Sequence, residues 1–308
     1  MRIFRGFEGC DKIVNPVVTT GTFDGVHFGH KVILNRLKQL AHRYNGESVL
    51  ITFHPHPRKV LYPETVGKGL SLINTQKEKI ELLRESGLDN LIIIEFNRQF
   101  ADISSACFVE KYLVGLLHAR VIVVGFNHFF GHNKEGDFSS LEGMAERLGF
   151  ITEMIPEQEV QNETVSSTEI RRSLREGFIQ RVNAYLDHYY MVIADIEPVP
   201  PLLSGDTSFA LVATDEEDKL LPPAGAYAVT VITDKLEHRG ISLITSDMAG
   251  SSHLFLSLFE GKDIHSLQVG TVRINFHRRM SAPFKSSIFQ DDPRFIESVV
   301  REVEDLIY

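Results

Sequence analysis

A ten-residue run, Gly21-Thr22-Phe23-Asp24-Gly25-Val26-His27-Phe28-Gly29-His30, constrains this chain more than any other stretch. It follows the apolar pair Val17-Val18 and leads into residues 31–44, where Ile33, Leu37, Leu40, Ala41 and Tyr44 recur at helical spacing. A strand, a glycine-bearing turn and a helix start are therefore predicted in that order. Such a helix start presents unpaired backbone N–H groups and the positive end of the helix dipole, which suits an anion such as a phosphate. Gly21, Gly25 and Gly29 let the backbone come close to that anion. His27 and His30 lie three apart, so a first turn holding both points both imidazoles the same way. The same spacing serves zinc fragments and capping pairs, and the glycines alone fit many strand-to-helix turns.

Beyond that turn the pattern repeats. Residues 48–53, 91–96 and 121–124 are near-continuous apolar runs, and amphipathic stretches separate them. Thr75-Gln76-Lys77-Glu78 reads as a capping box opening a helix to about Ser86. Residues 104–117 carry Phe108, Tyr112, Leu113 and Leu116 on one predicted helical face. A helix over 140–148 and a strand over 151–155 follow. Strands apolar on both faces, alternating with helices, predict a doubly wound α/β domain with a parallel sheet.

Three loops at the ends of these strands carry polar chemistry. Phe53-His54-Pro55-His56-Pro57 closes the second strand, and its two prolines argue against helix and for a stiff turn. Open α/β sheets bind ligands at such carboxyl ends. The run 125–137 gathers three glycines, Asn127, Phe129, Phe130 and Lys134. Asn127 could bond a phosphate or ribose, Lys134 could neutralise a phosphate, and Phe129 or Phe130 could wall an aromatic ring. Core phenylalanines and a solvated lysine are the plainer reading. Ser166-Ser167-Thr168-Glu169-Ile170-Arg171 is a hydroxyl-rich helix entry that serves equally as a set of N-caps or, with Arg171, as a second phosphate cradle. Residues 61–74 read as a loop, either a flap or a connector.

The formal charge of −9 and the lack of a basic stripe argue against a nucleic-acid partner. An acidic protein that handles a nucleotide needs local donors and a divalent cation. No apolar run approaches membrane-spanning length and the first residues form no secretory signal, so a cytoplasmic protein is expected. Cys10 and Cys107 match neither a zinc spacing nor a disulfide framework and read as packing residues. Length allows two domains. Oligomeric state is not legible.

Taken in order, the ten-residue run, the 53–57 loop, the 125–137 run and the 166–171 entry resemble the adenylyltransferase module of bacterial bifunctional riboflavin kinase/FAD synthetases, an HxGH nucleotidyltransferase. The resemblance covers roughly the first 185 residues and implies AMP transfer from ATP to FMN with Mg²⁺. It implies that His27 and His30 contact the ATP phosphates and that Asn127 helps to hold nucleotide and metal. Gly21, Thr22, Phe23, Asp24, Gly25 and Gly29 would line the ATP side with Lys134, while Ser167, Thr168 and Arg171 bind phosphates from the other flank. Phe53, His54, Pro55, His56, Pro57 and Phe129 would border the flavin. Beyond that role of Asn127 no protein ligand to the metal is assigned, the ion being held mainly by the ATP phosphates.

From about residue 187 the pattern changes to short strands, near 191–196, 208–213, 227–233, 242–245, 254–258 and 269–276, with an apolar-faced helix over 293–307. A small β-barrel with a C-terminal helix is predicted, giving domains 1–186 and 187–308. Residues 222–229 resemble a riboflavin kinase segment. Where the family carries a Gly-Phe-Pro-Thr-Ala-Asn turn, this chain has Pro200 to Phe209, and where the family's base is a glutamate two residues before a strand histidine, it has Ser251 before His253. A serine hydroxyl cannot take a proton as a carboxylate does. The expectation is an FMN adenylyltransferase with an inactive kinase barrel. A bifunctional enzyme and a non-catalytic flavin- or nucleotide-binding regulator are the alternatives.

Overall fold

The computed structural model describes residues 1–126, 131, 135–156, 159–160, 163–197, 210–213, 219–233, 236–246, 252–259 and 271–280. The chain divides into two compact units, Met1–Ser71 with Lys79–Val165 and Leu72–Glu78 with Ser166–Tyr308.

The first unit is built on β1 (Arg2–Arg5), β2 (Val17–Thr20), α1 (Phe28–Arg43), β3 (Ser48–His54), α2 (Pro57–Leu61), α3 (Gln76–Glu85, whose first residues belong to the second unit) and β4 (Asn90–Glu95). Then come short helices α4 (Arg98–Ala101) and α5 (Ser105–Cys107), a π-helix over Phe108–Leu116, β5 (Val121–Gly125), α6 (Phe138–Leu148), β6 (Ile151–Ile155) and the small pair β7 (Glu159–Val160) and β8 (Glu163–Thr164). Six strands form one sheet in the order β1-β4-β3-β2-β5-β6, every neighbouring pair parallel. The apolar runs explain it, because β2 is buried throughout and β3, β4 and β5 over nearly all their length, as a sheet covered on both faces requires. After β2 the chain first builds toward β3 and β4, and β5 then crosses to the other side of β2. The carboxyl ends of β2 and β5 are therefore a topological switch point, where ligand crevices form.

Three local readings need correction. α1 buries Leu34, Leu37, Leu40 and Ala41, while Ile33 is only half-buried and Tyr44 is the C-cap. Residues 104–117 are not one α-helix. After α5 the π winding, marked by the Leu117 N–H bonding the Tyr112 carbonyl at 3.1 Å, advances each side chain by a smaller angle. Phe108, Val109 and Leu113 therefore face the core and Leu116 turns outward, 44% exposed. The 53–57 prolines do not exclude helix either. Pro57 is the first residue of α2, where a missing N–H costs nothing, and His56 caps it by accepting from the Arg58 N–H at 3.2 Å. The His54-Pro55 bond is cis.

The second unit contains α7 (Ser167–Glu176) and α8 (Ile179–Leu186), then β9 (Tyr190–Glu197), β10 (Ala210–Ala213), β11 (Gly225–Ile232), β12 (Glu237–Ser246), β13 (Ser252–Leu258) and β14 (Thr271–Arg279). These six strands close into an antiparallel barrel in the order β10-β13-β12-β11-β14-β9. Closure leaves no edge strand unpaired. Its core includes Tyr190, Tyr227 and Phe276, whose rings lie 5.5 and 5.6 Å apart in edge-on contacts. Helix 293–307 lies outside the described residues, as do 200–209 and Ser251. Among the described residues no helix is long and apolar enough to cross a membrane.

Cys10 is fully buried, and burial, helped by Asp11, pushes its thiol up to about 11. Cys107 is exposed. Since only thiolate reacts, an alkylating reagent is expected to label one thiol, Cys107, in native protein and to reach Cys10 only in denaturant, which peptide mapping checks.

Candidate functional site

The backbone between β2 and α1 leaves the sheet at Gly21, whose N–H donates to the Ile51 carbonyl of β3 at 3.0 Å. Thr52 ties the turn again, its hydroxyl donating to the Thr22 carbonyl at 3.2 Å. The chain then passes through three left-handed residues, Phe23 at φ 48°, Gly25 at φ 91° and Val26 at φ 41°. Glycine accepts that region freely, whereas a phenylalanine and above all a β-branched valine do so at a cost of order 1–3 kcal/mol each. Phe23 and Val26 are almost wholly buried, and their packing holds the strained turn. Asp24 is buried in the same turn, 1% exposed.

His27 is the N-cap residue of α1 and His30 lies in its first turn. Their rings stack at 3.7 Å between centroids and 22° between planes, so the three-residue spacing does bring both imidazoles together. Phe23 stacks on His30 at 4.3 Å and 21°. The Nδ1 of His30 is buried and, among the described residues, has no hydrogen-bond partner. Desolvation first, then His27, then Lys79 hold the His30 pKa well below the ordinary 6.5, so the ring is neutral at pH 7. A neutral imidazole keeps one N–H donor and one acceptor.

Lys79, 6% exposed, is a buried cation that the sequence pattern does not single out. Its position just after the Thr75-to-Glu78 capping box signals only helix, yet its charge reaches His30. A turn with free helix-start amides, two imidazoles and a nearby ammonium is a place that attracts anionic oxygen.

The other predicted positions fall as follows. Phe53 is half-buried and packs in an aromatic cluster with Phe96 and Phe100, at 5.6 and 5.9 Å. His54 and Pro55 are exposed at the end of β3, and His56 and Pro57 form the start of α2. Asn127, Phe129 and Lys134 lie outside the described residues. Asp137, at the end of that run, is the N-cap of α6, accepting from the Ser140 N–H at 2.8 Å. Ser167, Thr168 and Arg171 lie on α7 in the second unit. Ser166 is its N-cap, accepting from the Glu169 N–H at 3.3 Å, Thr168 is exposed, and Arg171 is buried at 6%.

The depressed His30 pKa has a consequence for stability. The unfolded chain binds the proton that the folded one refuses, so the contribution of His30 is complete above about pH 6.5 and is lost as pH falls from there through its lowered native value. Urea midpoints between pH 7.5 and 5 are expected to fall, and to fall less steeply in His30→Asn. Equal slopes in the two proteins would rule the effect out.

Comparison with known proteins gives a consistent neighbourhood. The family model described as FAD synthetase matches residues 11–169. The bifunctional riboflavin kinase/FMN adenylyltransferase of Listeria monocytogenes is 29% identical over 273 residues, 87% of this chain and 80% of that one. Its counterpart from Pseudomonas fluorescens is 27% identical over 297 residues, 91% and 89% of the two chains. A solved structure from Streptococcus pneumoniae, described as a macrolide-efflux protein, superposes with a TM-score of 0.83 over 99% of this chain and 97% of that one, at 20% identity. At that identity the likeness is one of fold.

Proposed function

Because this chain belongs to the FAD synthetase family, we propose that it is an FMN adenylyltransferase, a nucleotidyltransferase that moves AMP from ATP to FMN and releases pyrophosphate. The observation that carries the reading is the family match over residues 11–169, which contains the whole turn with its stacked histidines. A phosphate monoester has its second pKa near 6, so the FMN phosphate is largely a dianion at pH 7 and is already a nucleophile. One of its oxygens bonds to the α-phosphorus of ATP as the bond from that phosphorus to the bridging oxygen breaks, and pyrophosphate departs with the electron pair. What remains for the protein is alignment and the absorption of charge.

His27 and His30, with the helix-start amides beside them, are assigned to the ATP phosphates, and Lys79 adds positive potential. Gly21, Thr22, Phe23, Asp24, Gly25 and Gly29 shape the turn that receives them. Asn127, Lys134, Ser167, Thr168 and Arg171 are proposed as further polar contacts to the nucleotide, and Phe53, His54, Pro55, His56, Pro57 and Phe129 as the flavin border. Mg²⁺ is the proposed cofactor. It takes hard oxygen ligands and travels on substrate phosphates with several waters. Asp24 is the carboxylate that the turn itself offers. The domain division proposed is 1–186 for the transferase and 187–308 for the barrel, in a cytoplasmic protein.

The barrel is proposed to lack kinase activity, since a serine stands at the position matched to the base and the kinase's Thr and Asn have no counterparts. Purified protein is incubated with Mg-ATP and either FMN or riboflavin, and the flavins are resolved by chromatography. FAD from FMN and no product from riboflavin are expected. FMN or FAD formed from riboflavin restores the bifunctional reading, and flavin binding without FAD formation overturns the transferase.

A further inference from the structure

We propose that the second unit carries an anion site of its own, which takes a phosphorylated small molecule with a planar ring, of mononucleotide size. A cavity of about 640 Å³ is lined by Glu176, Gly177, Phe178, Arg181, Arg278 and Arg279, with Ile179, Gln180 and Met280 completing it. That volume lies within the range of small-molecule sites. Three guanidiniums face one carboxylate there, in a chain whose formal charge is −9. Local positive potential set in an acidic protein selects anions, and guanidinium forks match phosphate oxygens.

The cluster is built rather than incidental. At the end of β14 the pairing with β11 shifts register, Ala228 facing Arg278 and Val229 facing Phe276, so His277 is an extra residue. A bulge of this kind re-aims the side chains beside it, and two successive arginines reach one cavity. Arg279 is pinned, its Nη2 donating to the Ala224 carbonyl at 2.8 Å and its guanidinium 6.0 Å from the Tyr227 ring centroid. Its Nε is buried and has no hydrogen-bond partner among the described residues.

Gly177, at φ 80°, ends α7 and lies so close that a Cβ there would stand 2.5 Å from Nη1 of Arg279. Glycine takes this left-handed φ freely and leaves the guanidinium its place. Arg181 is braced by its Nε donating to the Tyr185 hydroxyl at 2.8 Å, and Arg278 is exposed. The N-terminus of α8 opens into the same cavity with no capping side chain among the described residues, and Phe178, 52% exposed, offers a ring face. Phosphate on the arginines and α8 amides, with a planar ring on Phe178, uses each of these groups.

Hydrogen exchange by mass spectrometry on the full chain tests this, with AMP and inorganic pyrophosphate as probes and sodium chloride matching ionic strength. The readout is local to residues 177–182, so it does not depend on the transferase reading. Both probes are expected to slow exchange there, AMP at lower concentration. Arg278→Ser is expected to raise the concentration for half-protection about tenfold, the loss of one charge-assisted hydrogen bond. Phe178→Ser, at a second exposed position, is expected to remove the preference for AMP and to leave the pyrophosphate effect. No protection by either probe, equal protection by sodium chloride, or an unchanged midpoint in Arg278→Ser overturns the site. Equal midpoints for AMP and pyrophosphate in the parent overturn the ring contact.

Discussion

His30→Ala is expected to lower the turnover number for FAD formation from FMN by about 10²–10³-fold, the loss typical of removing one donor aimed at developing transition-state charge. The ring that would be lost is held on its faces by Phe23 and His27 and kept neutral by desolvation and by the charge of Lys79. A donor fixed in this way pays little reorganisation when pyrophosphate departs, and a desolvated setting makes its hydrogen bond count for more than it would in water. KM for FMN is expected to change little, because the effect falls on the reacting polyphosphate. Asparagine keeps a donor at the position and is expected to recover part of the rate. Because the two imidazoles touch, the His27→Ala/His30→Ala double variant is expected to lose less than the product of the single losses. Steady-state rates with saturating ATP, alongside thermal melts that confirm folding, decide the matter. Parent-like turnover in His30→Ala would remove the pair from the chemistry.

The largest expected effect on stability lies elsewhere. Lys219→Met is expected to destabilise the second unit by about 3–5 kcal/mol, because it leaves a buried carboxylate without its cation. The side chains of Lys219 and Glu78 are 1% and 0% exposed, with Nζ 2.6 Å from Oε2. The ammonium donates to Glu78 and to the carbonyls of Ile73 at 2.7 Å and Met191 at 2.8 Å. The carboxylate in turn accepts from the N–H groups of Thr75 at 2.9 Å and Ile193 at 3.0 Å. Such a pair fastens the segment Leu72–Glu78 to strand β9 and to the bridge at Lys219. The double variant Glu78→Gln/Lys219→Met is expected to recover much of the loss, since it removes the stranded charge. Urea unfolding followed by circular dichroism measures both. A Lys219→Met midpoint equal to the parent's would mean that water reaches the carboxylate.

These two cases divide along a physical line. The run from Gly21 to His30 was legible because its strand, turn and helix are each decided by residues within a few positions of one another. So were the Thr75-to-Glu78 capping box and the six barrel strands, whose apolar segments and turn residues are local signals. The sheet's parallel character followed from runs apolar on both faces. Residues 127–130 and 132–134 lie outside the described residues, so the expectations for Asn127, Phe129 and Lys134 stay proposals.

The sequence by itself determined the central sheet strands, the barrel strands, the class of each domain and the histidine pair, because periodicity, caps and short spacings are written in neighbouring residues. Tertiary structure alone decided that Lys79 stands near His30, that Lys219 meets a carboxylate 141 positions away, and that residues 108–116 wind as a π-helix. It also decided that a bulge gathers two arginines of β14 at the start of α8. Each of these rests on packing between distant segments, where burial and strain are settled by partners that no local pattern names.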